Sequence, residues 1–210
     1  KTSIVKSVTA KHFEKSHKKC LVFFTDLMEV RSMADIELRL TRDFAKAYAH
    51  SFPVQSWLES LKSMARGVRY EISMDPMTGF PSIEFKPSAG QKSSLGIIDI
   101  FESLERIAKT RPVLIILDEF QDIHKVPSAQ ALFRQAFQVL TGLPIIVLGS
   151  KRHLLSQIFA LPDAPLAGWG SDISLKPIDH KLYHAYIVKR LARHHITLPF
   201  DVSIAMQNLL

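Results

Sequence analysis

The sequence has one cysteine among its 210 residues, Cys20, and it lies inside an apolar run. A single thiol excludes a disulfide framework, so we expect a buried thiol and a reducing compartment, the cytoplasm. No apolar run approaches the ~20 residues of a membrane span, and no secretory signal is visible, so no membrane partner is expected. The Gly-x-Ser-x-Gly turn of serine hydrolases is also missing, which argues against that class of enzyme.

The composition that is present, 47% hydrophobic and 22% charged, is typical of a globular protein. The length suits one sizeable domain with part of a second. The formal net charge of +7 permits contact with nucleic acid, nucleotides or acidic surfaces. A solvated basic surface explains the same charge, because the basic clusters at 15–19 and 189–193 lack the interleaved aromatic residues of a single-strand binding groove.

Short apolar runs alternate with helical patterns along the chain, which predicts βαβ units and a parallel sheet. Strands are predicted at 20–24, 113–117, 144–148 and about 172–175. Helices are predicted at 2–17, 32–48, 53–65, 93–110, 128–140, 154–159, 179–194 and after Pro199. An alternating stretch at about 68–86, with turn residues at 75–79, predicts an inserted β-hairpin. Partner contact and a plain surface hairpin both stay open for it.

The most informative run is the apolar segment 113–117, which two adjacent carboxylates follow, Asp118 and Glu119. A strand without alternation must be covered on both faces, as central strands of parallel sheets are. Ligands of open α/β sheets bind outside the carboxyl ends of the strands. A carboxylate pair at that edge can hold a hydrated Mg²⁺ and orient a water for nucleotide hydrolysis. The alternative is a strand that simply ends in polar residues.

The chain opens with Lys1 and Thr2 and continues directly into a helical pattern. A P-loop has the form G-x-x-x-x-G-K-[ST] and also leads straight into a helix, so these residues would be its last two. The glycines of that motif are not in the sequence. We therefore expect a fragment that starts at the end of a P-loop.

Four features now occur in order: Lys1 and Thr2 at a helix start, Asp26 after a strand, the acidic pair after the next apolar strand, and Gly149 and Ser150 after a third. This arrangement resembles the P-loop ATPase family found mainly in archaea and also in bacteria, which is related to AAA+ and STAND nucleotide switches. The segment 117–122, Leu-Asp-Glu-Phe-Gln-Asp, resembles its Walker B motif. Residues 148–151 resemble its sensor strand, and 164–170 resemble the loop that the family often writes as Pro-Leu-x-Gly-Arg.

The resemblance implies a three-layer α/β fold with helices on both faces of a parallel sheet. Residues 1–177 would form the P-loop NTPase core without its first strand, with the hairpin inserted at about 68–86, and residues 178–210 would begin a helical lid. The implied activity is ATP binding with slow Mg²⁺-dependent hydrolysis in the full-length protein, which acts as a nucleotide-dependent switch. The fragment itself is expected to be inactive and to bind nucleotide poorly, because P-loop backbone N–H groups carry most of the anion binding.

Residue by residue, the resemblance assigns Lys1 to the β- and γ-phosphates, and Thr2 and Asp118 to Mg²⁺, with Asp118 acting through water. Glu119 would orient the attacking water or accept its proton. Ser150 would sense the γ-phosphate through a hydrogen bond. Capping of the following helix is an equal alternative for Ser150.

Other polar and aromatic positions have weaker assignments. Asp26 would support the water or the metal, or only form a turn. Arg152 would approach phosphate or stay solvated. Trp169 stands where many relatives have arginine, which puts fast hydrolysis in doubt and favours a slow switch. His180 and His184 lie four residues apart on a predicted helix, but a metal site needs more convergent ligands, so we interpret them as surface or lid histidines.

Two other functions stay open. The chain could be a nucleotide-independent module that contacts protein or DNA on the same scaffold. Alternatively, the protein binds nucleic acid and ATP regulates this binding, a hypothesis that rests on net charge and analogy. A G-x-x-x-x-G directly before Lys1 would favour the ATPase, and its absence would favour the interaction module. The oligomeric state does not follow from the sequence.

Overall fold

The computed structural model describes residues 2–51, 68–74, 81–87, 93–175 and 178–209, and the side chains of these residues apart from 50, 68–74, 81–87 and 93–95. Lys1, the predicted helix at 53–65 and the predicted turn at 75–79 lie outside the described residues. The chain divides into two compact units, Lys1–Gly170 and Ser171–Leu210.

Five strands are described: β1 Leu21–Asp26, β2 Val68–Met74, β3 Pro81–Pro87, β4 Val113–Asp118 and β5 Ile145–Val147. The strands β1, β4 and β5 form a parallel sheet in the order β1-β4-β5, which confirms the predicted parallel sheet. The strands β2 and β3 pair antiparallel, which confirms the predicted hairpin. Cys20, expected to be buried in the first strand, instead lies just before it and is half-buried.

The first helix, α1, runs without a break through three segments, Thr2–Ile4, Val5–Ala10 and Lys11–Ser16, of which the middle one is a π-helix. The prediction of a helix at 2–17 is therefore confirmed. Its buried Val5 and Ala10 pack on one face of the sheet.

Helices on both faces bury β4 completely. Further helices in the first unit are α2 Met33–Ser51, α3 Ser93–Ala108, α4 Ala129–Gln138 and α5 Arg152–Phe159. Because side chains alternate along a strand, Ile115 and Leu117 of β4 join the core with α2, α3 and α4, whereas Leu114 and Ile116 face α1. The fold is accordingly of the predicted α/β class, a small parallel sheet between helical layers.

The start of α2 is set by Ser32, whose hydroxyl accepts a hydrogen bond from the backbone N–H of Asp35 at 3.1 Å. A short polar side chain in this position satisfies one of the helix's unpaired N–H groups. The helix continues to Ser51, past the predicted end at Tyr48.

Two turns of 3₁₀-helix, Phe120–Lys125, follow β4 after Glu119. Their first residue, Phe120, is fully buried and packs against Phe133 and Phe159, with ring centroids 5.0 and 5.8 Å away. This aromatic anchor fixes the chain immediately after the two carboxylates.

The second unit contains α6 His180–Leu191, a 3₁₀ turn Ala192–His194 and α7 Phe200–Asn208, so the predicted helices at 179–194 and after Pro199 are confirmed. Asp179 caps α6 by accepting the N–H groups of Lys181 and Leu182. The predicted strand at 172–175 is wrong, because these residues pair with no strand among the described residues. A short apolar run becomes a strand only where a neighbour can take its backbone hydrogen bonds.

Candidate functional site

The predicted site residues Thr2 and Asp118 meet at the carboxyl edge of the sheet. The Thr2 hydroxyl donates a hydrogen bond of 2.7 Å to Asp118 Oδ2, although 116 positions separate the residues in the sequence. Asp118 is buried, and its Oδ1 accepts the backbone N–H of Glu119 at 3.0 Å. The start of α1 and the end of β4 therefore form one polar corner.

Backbone hydrogen bonds bring the loop after β5 to the same corner. Leu148 N–H donates to Leu117 O at 2.8 Å, and Phe120 N–H donates to Leu148 O at 3.0 Å. These bonds extend the pairing of β4 and β5 past the ends of both strands. They place Ser150 beside Glu119.

Glu119 leaves the strand in the left-handed region, with φ of 50° and ψ of 37°. Its Oε2 accepts two hydrogen bonds, from Gln121 Nε2 at 2.5 Å and from the Ser150 hydroxyl at 2.8 Å. Helix α5 has Lys151 at its N-cap without a side-chain cap, so the alternative capping role of Ser150 is not what the structure has. The hydroxyl contacts the carboxylate instead.

Asp26 lies level with Asp118 in the pairing of β1 with β4. Its Oδ1 accepts the backbone N–H of Met28 at 2.9 Å, the turn-forming contact that was one of its two interpretations. The guanidinium of Arg39 donates to the backbone carbonyl of Asp26 at 3.1 Å. Asp26 thus shapes the loop at the edge of the corner.

Asp122 is a buried carboxylate that the sequence analysis did not single out. Its Oδ2 accepts the backbone N–H of Glu29 at 2.6 Å, and its Oδ1 lies 3.2 Å from the Lys125 ammonium. Burial raises the pKa of the Asp122 carboxyl, but the Glu29 N–H and the Lys125 charge outweigh burial, so the pKa lies below its ordinary value. Asp122 ties the loop after β1 to the turn after β4.

Replacing Asp122 with asparagine should lower the free energy of unfolding at neutral pH by roughly 1–3 kcal/mol, because a charged hydrogen bond and an ion pair are lost. A carboxyl with a lowered folded-state pKa contributes stability above its unfolded pKa of about 3.9, and loses it as the pH falls through the folded value. Urea unfolding from pH 7 to pH 3 should therefore show a shallower fall for the variant. The exposed Asp163, changed to asparagine, is the control. Parallel curves for Asp122→Asn and wild type would contradict the assignment.

Two described residues with assigned roles, Arg152 and Trp169, do not join the corner. Lys1 lies outside the described residues. Arg152 is exposed at the first position of α5. Trp169 is half-buried and stacks on Phe137 with ring centroids 4.4 Å apart, so it serves the aromatic core.

In the second unit, His184 Nδ1 lies 2.9 Å from the Ser203 hydroxyl, which donates to Phe200 O. The contact joins α6 to α7, which gives His184 a packing role. Nowhere in the described residues do three or more His, Cys, Asp or Glu side chains form a group that could hold a metal ion. For Mg²⁺ the fitting donors are therefore the oxygens of Thr2 and Asp118, since this ion takes one or two protein oxygens and completes its shell with water and phosphate.

Comparison with models of known protein families finds no match, and comparison with curated protein sequences finds none either. Among the described residues, no helix has both the length and the apolar character needed to cross a membrane.

Proposed function

We propose that the chain is the core of an ATP-binding P-loop ATPase that acts as a nucleotide-dependent switch with slow Mg²⁺-dependent hydrolysis in the full-length protein. The observation that carries the proposal is the hydrogen bond of 2.7 Å between Thr2 and Asp118. It supports the proposal because a Lys-Thr pair at a helix start and an Asp-Glu pair after a strand are unremarkable alone. Because Thr2 and Asp118 meet at one sheet edge, their side chains supply oxygens of the kind that a Mg-nucleotide site requires.

The proposed roles follow from position. Lys1 would offset phosphate charge, and Thr2 and Asp118 would hold Mg²⁺, the latter through water. When bound, Mg-ATP supplies a polarised terminal phosphate as the electrophile. Glu119, at the exit of the same strand, would orient the attacking water and accept its proton. Ser150 would turn its hydroxyl away from Glu119 and donate a hydrogen bond to a terminal phosphate oxygen.

The proposed fold places the described sheet within a larger P-loop NTPase sheet. The outer edge of β5 has no strand neighbour among the described residues. All three residues of β5 are half-buried, whereas all of β4 is buried. We infer that the strand leading to the P-loop pairs with this edge, which would bring the phosphate-binding glycines to the carboxyl end of the sheet, where Asp118 also lies. Residues 178–210 would be the start of the lid.

Replacing Thr2 with valine should weaken Mg-ATP binding by the full-length protein roughly tenfold, because an isosteric side chain then lacks the metal-binding oxygen. Asp118→Asn should weaken it at least as much, since a charge is lost. Calorimetry of ATP binding with Mg²⁺ and with EDTA isolates the contribution of the metal. Without the metal, the ATP affinity of neither variant should differ from that of wild type.

Thr9→Val is the matched control, a half-buried threonine two turns further along α1. It should leave Mg-ATP affinity unchanged. If Thr2→Val lost the same ATP affinity with and without Mg²⁺, Thr2 would not be a ligand of the metal. Absence of any ATP binding by the full-length protein would reject the ATPase and favour the interaction module.

A further inference from the structure

Gln121 is a buried residue that lies next to the proposed site. Its side chain is only 1% exposed, and its Nε2 donates the hydrogen bond of 2.5 Å to Glu119 Oε2. The Ser150 hydroxyl donates to the same oxygen. Ser150 is exposed and free to turn, whereas the amide of Gln121 is enclosed. The two donors therefore differ in how firmly they hold the carboxylate.

The orientation of the Gln121 amide follows from what a carboxylate can accept. An ionised Glu119 has no proton to give, so the NH₂ end of the amide must face it. The opposite end, Oε1, is then buried and has no hydrogen-bond partner in the described part of the chain. An unpaired buried acceptor is destabilising, so the fold retains this arrangement at a cost in stability.

Gly149 makes the room that Gln121 occupies. A Cβ atom at position 149 would lie 2.3 Å from Gln121 Oε1 and 2.7 Å from Leu155 Cδ1. Both distances are far inside normal contact, and Gly149 itself is buried. A side chain at position 149 would displace the Gln121 amide or Leu155, so the glycine leaves the space that the amide contacting Glu119 fills.

The backbone of Glu119 restricts the carboxylate further. A non-glycine residue at φ of 50° is uncommon and is held by its surroundings. Here the Glu119 carbonyl accepts the N–H of Asp122 at 3.0 Å, and Phe120 is anchored in the core. Backbone and amide together leave the Glu119 side chain few alternatives.

We propose that Gln121 is the positioning residue of the site: its amide fixes the carboxylate of Glu119 in the orientation from which it engages the attacking water. The proposal rests on the proposed ATPase function. Gln121 reaches the reaction only through Glu119. Its removal should therefore lower the rate of hydrolysis without changing nucleotide binding, because no substrate contact is lost.

The kinetic test compares Gln121→Leu with wild type in the full-length protein. We expect kcat to fall by about tenfold or more while KM stays within about twofold. Gln135→Leu, an exposed glutamine on α4, should change neither constant. Equal kcat in Gln121→Leu and wild type would overturn the proposal, as would a loss confined to KM.

Gln121→Glu supplies a readout that a purely structural role would not move. The charged variant cannot donate to Glu119, but a protonated carboxyl has an O–H that can. Its kcat relative to wild type should therefore rise as the pH is lowered from about 8 to about 5.5, because a pair of like-charged carboxylates takes up a proton at higher pH than an isolated one. A ratio that does not change with pH would count against positioning by the amide N–H.

Urea unfolding tests the same contact without nucleotide. The shifts in midpoint for Gln121→Leu and Glu119→Ala should not add in the double variant, because either change alone breaks the one hydrogen bond. Additive shifts would overturn the proposal whether or not the protein hydrolyses ATP. Non-additive shifts in a protein that shows no hydrolysis would reject the ATPase and, with it, the positioning role.

Discussion

Replacing Phe120 with alanine is expected to lower the free energy of unfolding by about 3–5 kcal/mol, the usual cost of removing a large aromatic side chain from a core. Phe120 is fully buried, and its ring packs against the rings of Phe133 and Phe159. A further ring, that of Phe137, lies 6.1 Å from it. Because these residues belong to α4 and α5, the cavity would separate two helices from the strand end.

Urea unfolding of the full chain checks this value. The control is Phe13→Ala, a half-buried phenylalanine near the end of α1 whose ring contacts His17 at the surface. Its cost should be clearly smaller, because less apolar area returns to water. Equal costs for the two variants would show that Phe120 is not the anchor. A loss of about 3–5 kcal/mol is a large part of the 5–15 kcal/mol by which domains are usually stable.

The central strand was predictable because its chemistry is local. Residues 113–117 are apolar without alternation, and the structure buries every residue of β4 on two faces. The parallel order of the sheet then brings strand exits to one edge. The meeting of Ser150 with Glu119 and of Thr2 with Asp118 follows from that topology, and no single motif would have given it.

The contacts that could not be predicted join residues with no shared local pattern. The Asp122 carboxylate accepts a hydrogen bond from the backbone N–H of Glu29, which lies 93 positions away in the chain. Gln121 needs a glycine at 149 for space. For the contacts of Asp122 and Gln121, the sequence offered one indication, the polar turn that follows the acidic pair. The prediction of a strand at 172–175 was wrong because it used local composition alone. The composition favours an extended backbone, but a strand also needs a neighbour to pair with, which the local pattern does not specify.

Changing Glu119 to glutamine is expected to lower kcat for ATP hydrolysis by about 10²–10⁴-fold in the full-length protein, the typical contribution of a general base. Glutamine keeps the length of the side chain, and its amide oxygen can still accept from Gln121 and Ser150. It cannot take a proton from water. ATP affinity should therefore stay within about twofold of wild type, since the change removes an interaction made only in the transition state.

Single-turnover kinetics and calorimetry measure the two quantities separately. Glu102→Gln, at an exposed position of α3, removes one carboxylate charge away from the corner and should leave both unchanged. Unchanged turnover in Glu119→Gln would exclude this residue as the base. Loss of ATP affinity together with turnover would instead indicate that the Glu119 carboxylate stabilises the corner as a whole. The Gln121→Leu variant separates these cases. If Glu119 is a positioned base, Gln121→Leu lowers kcat and leaves ATP affinity intact. If the Glu119 carboxylate is structural, ATP affinity falls in both Glu119→Gln and Gln121→Leu.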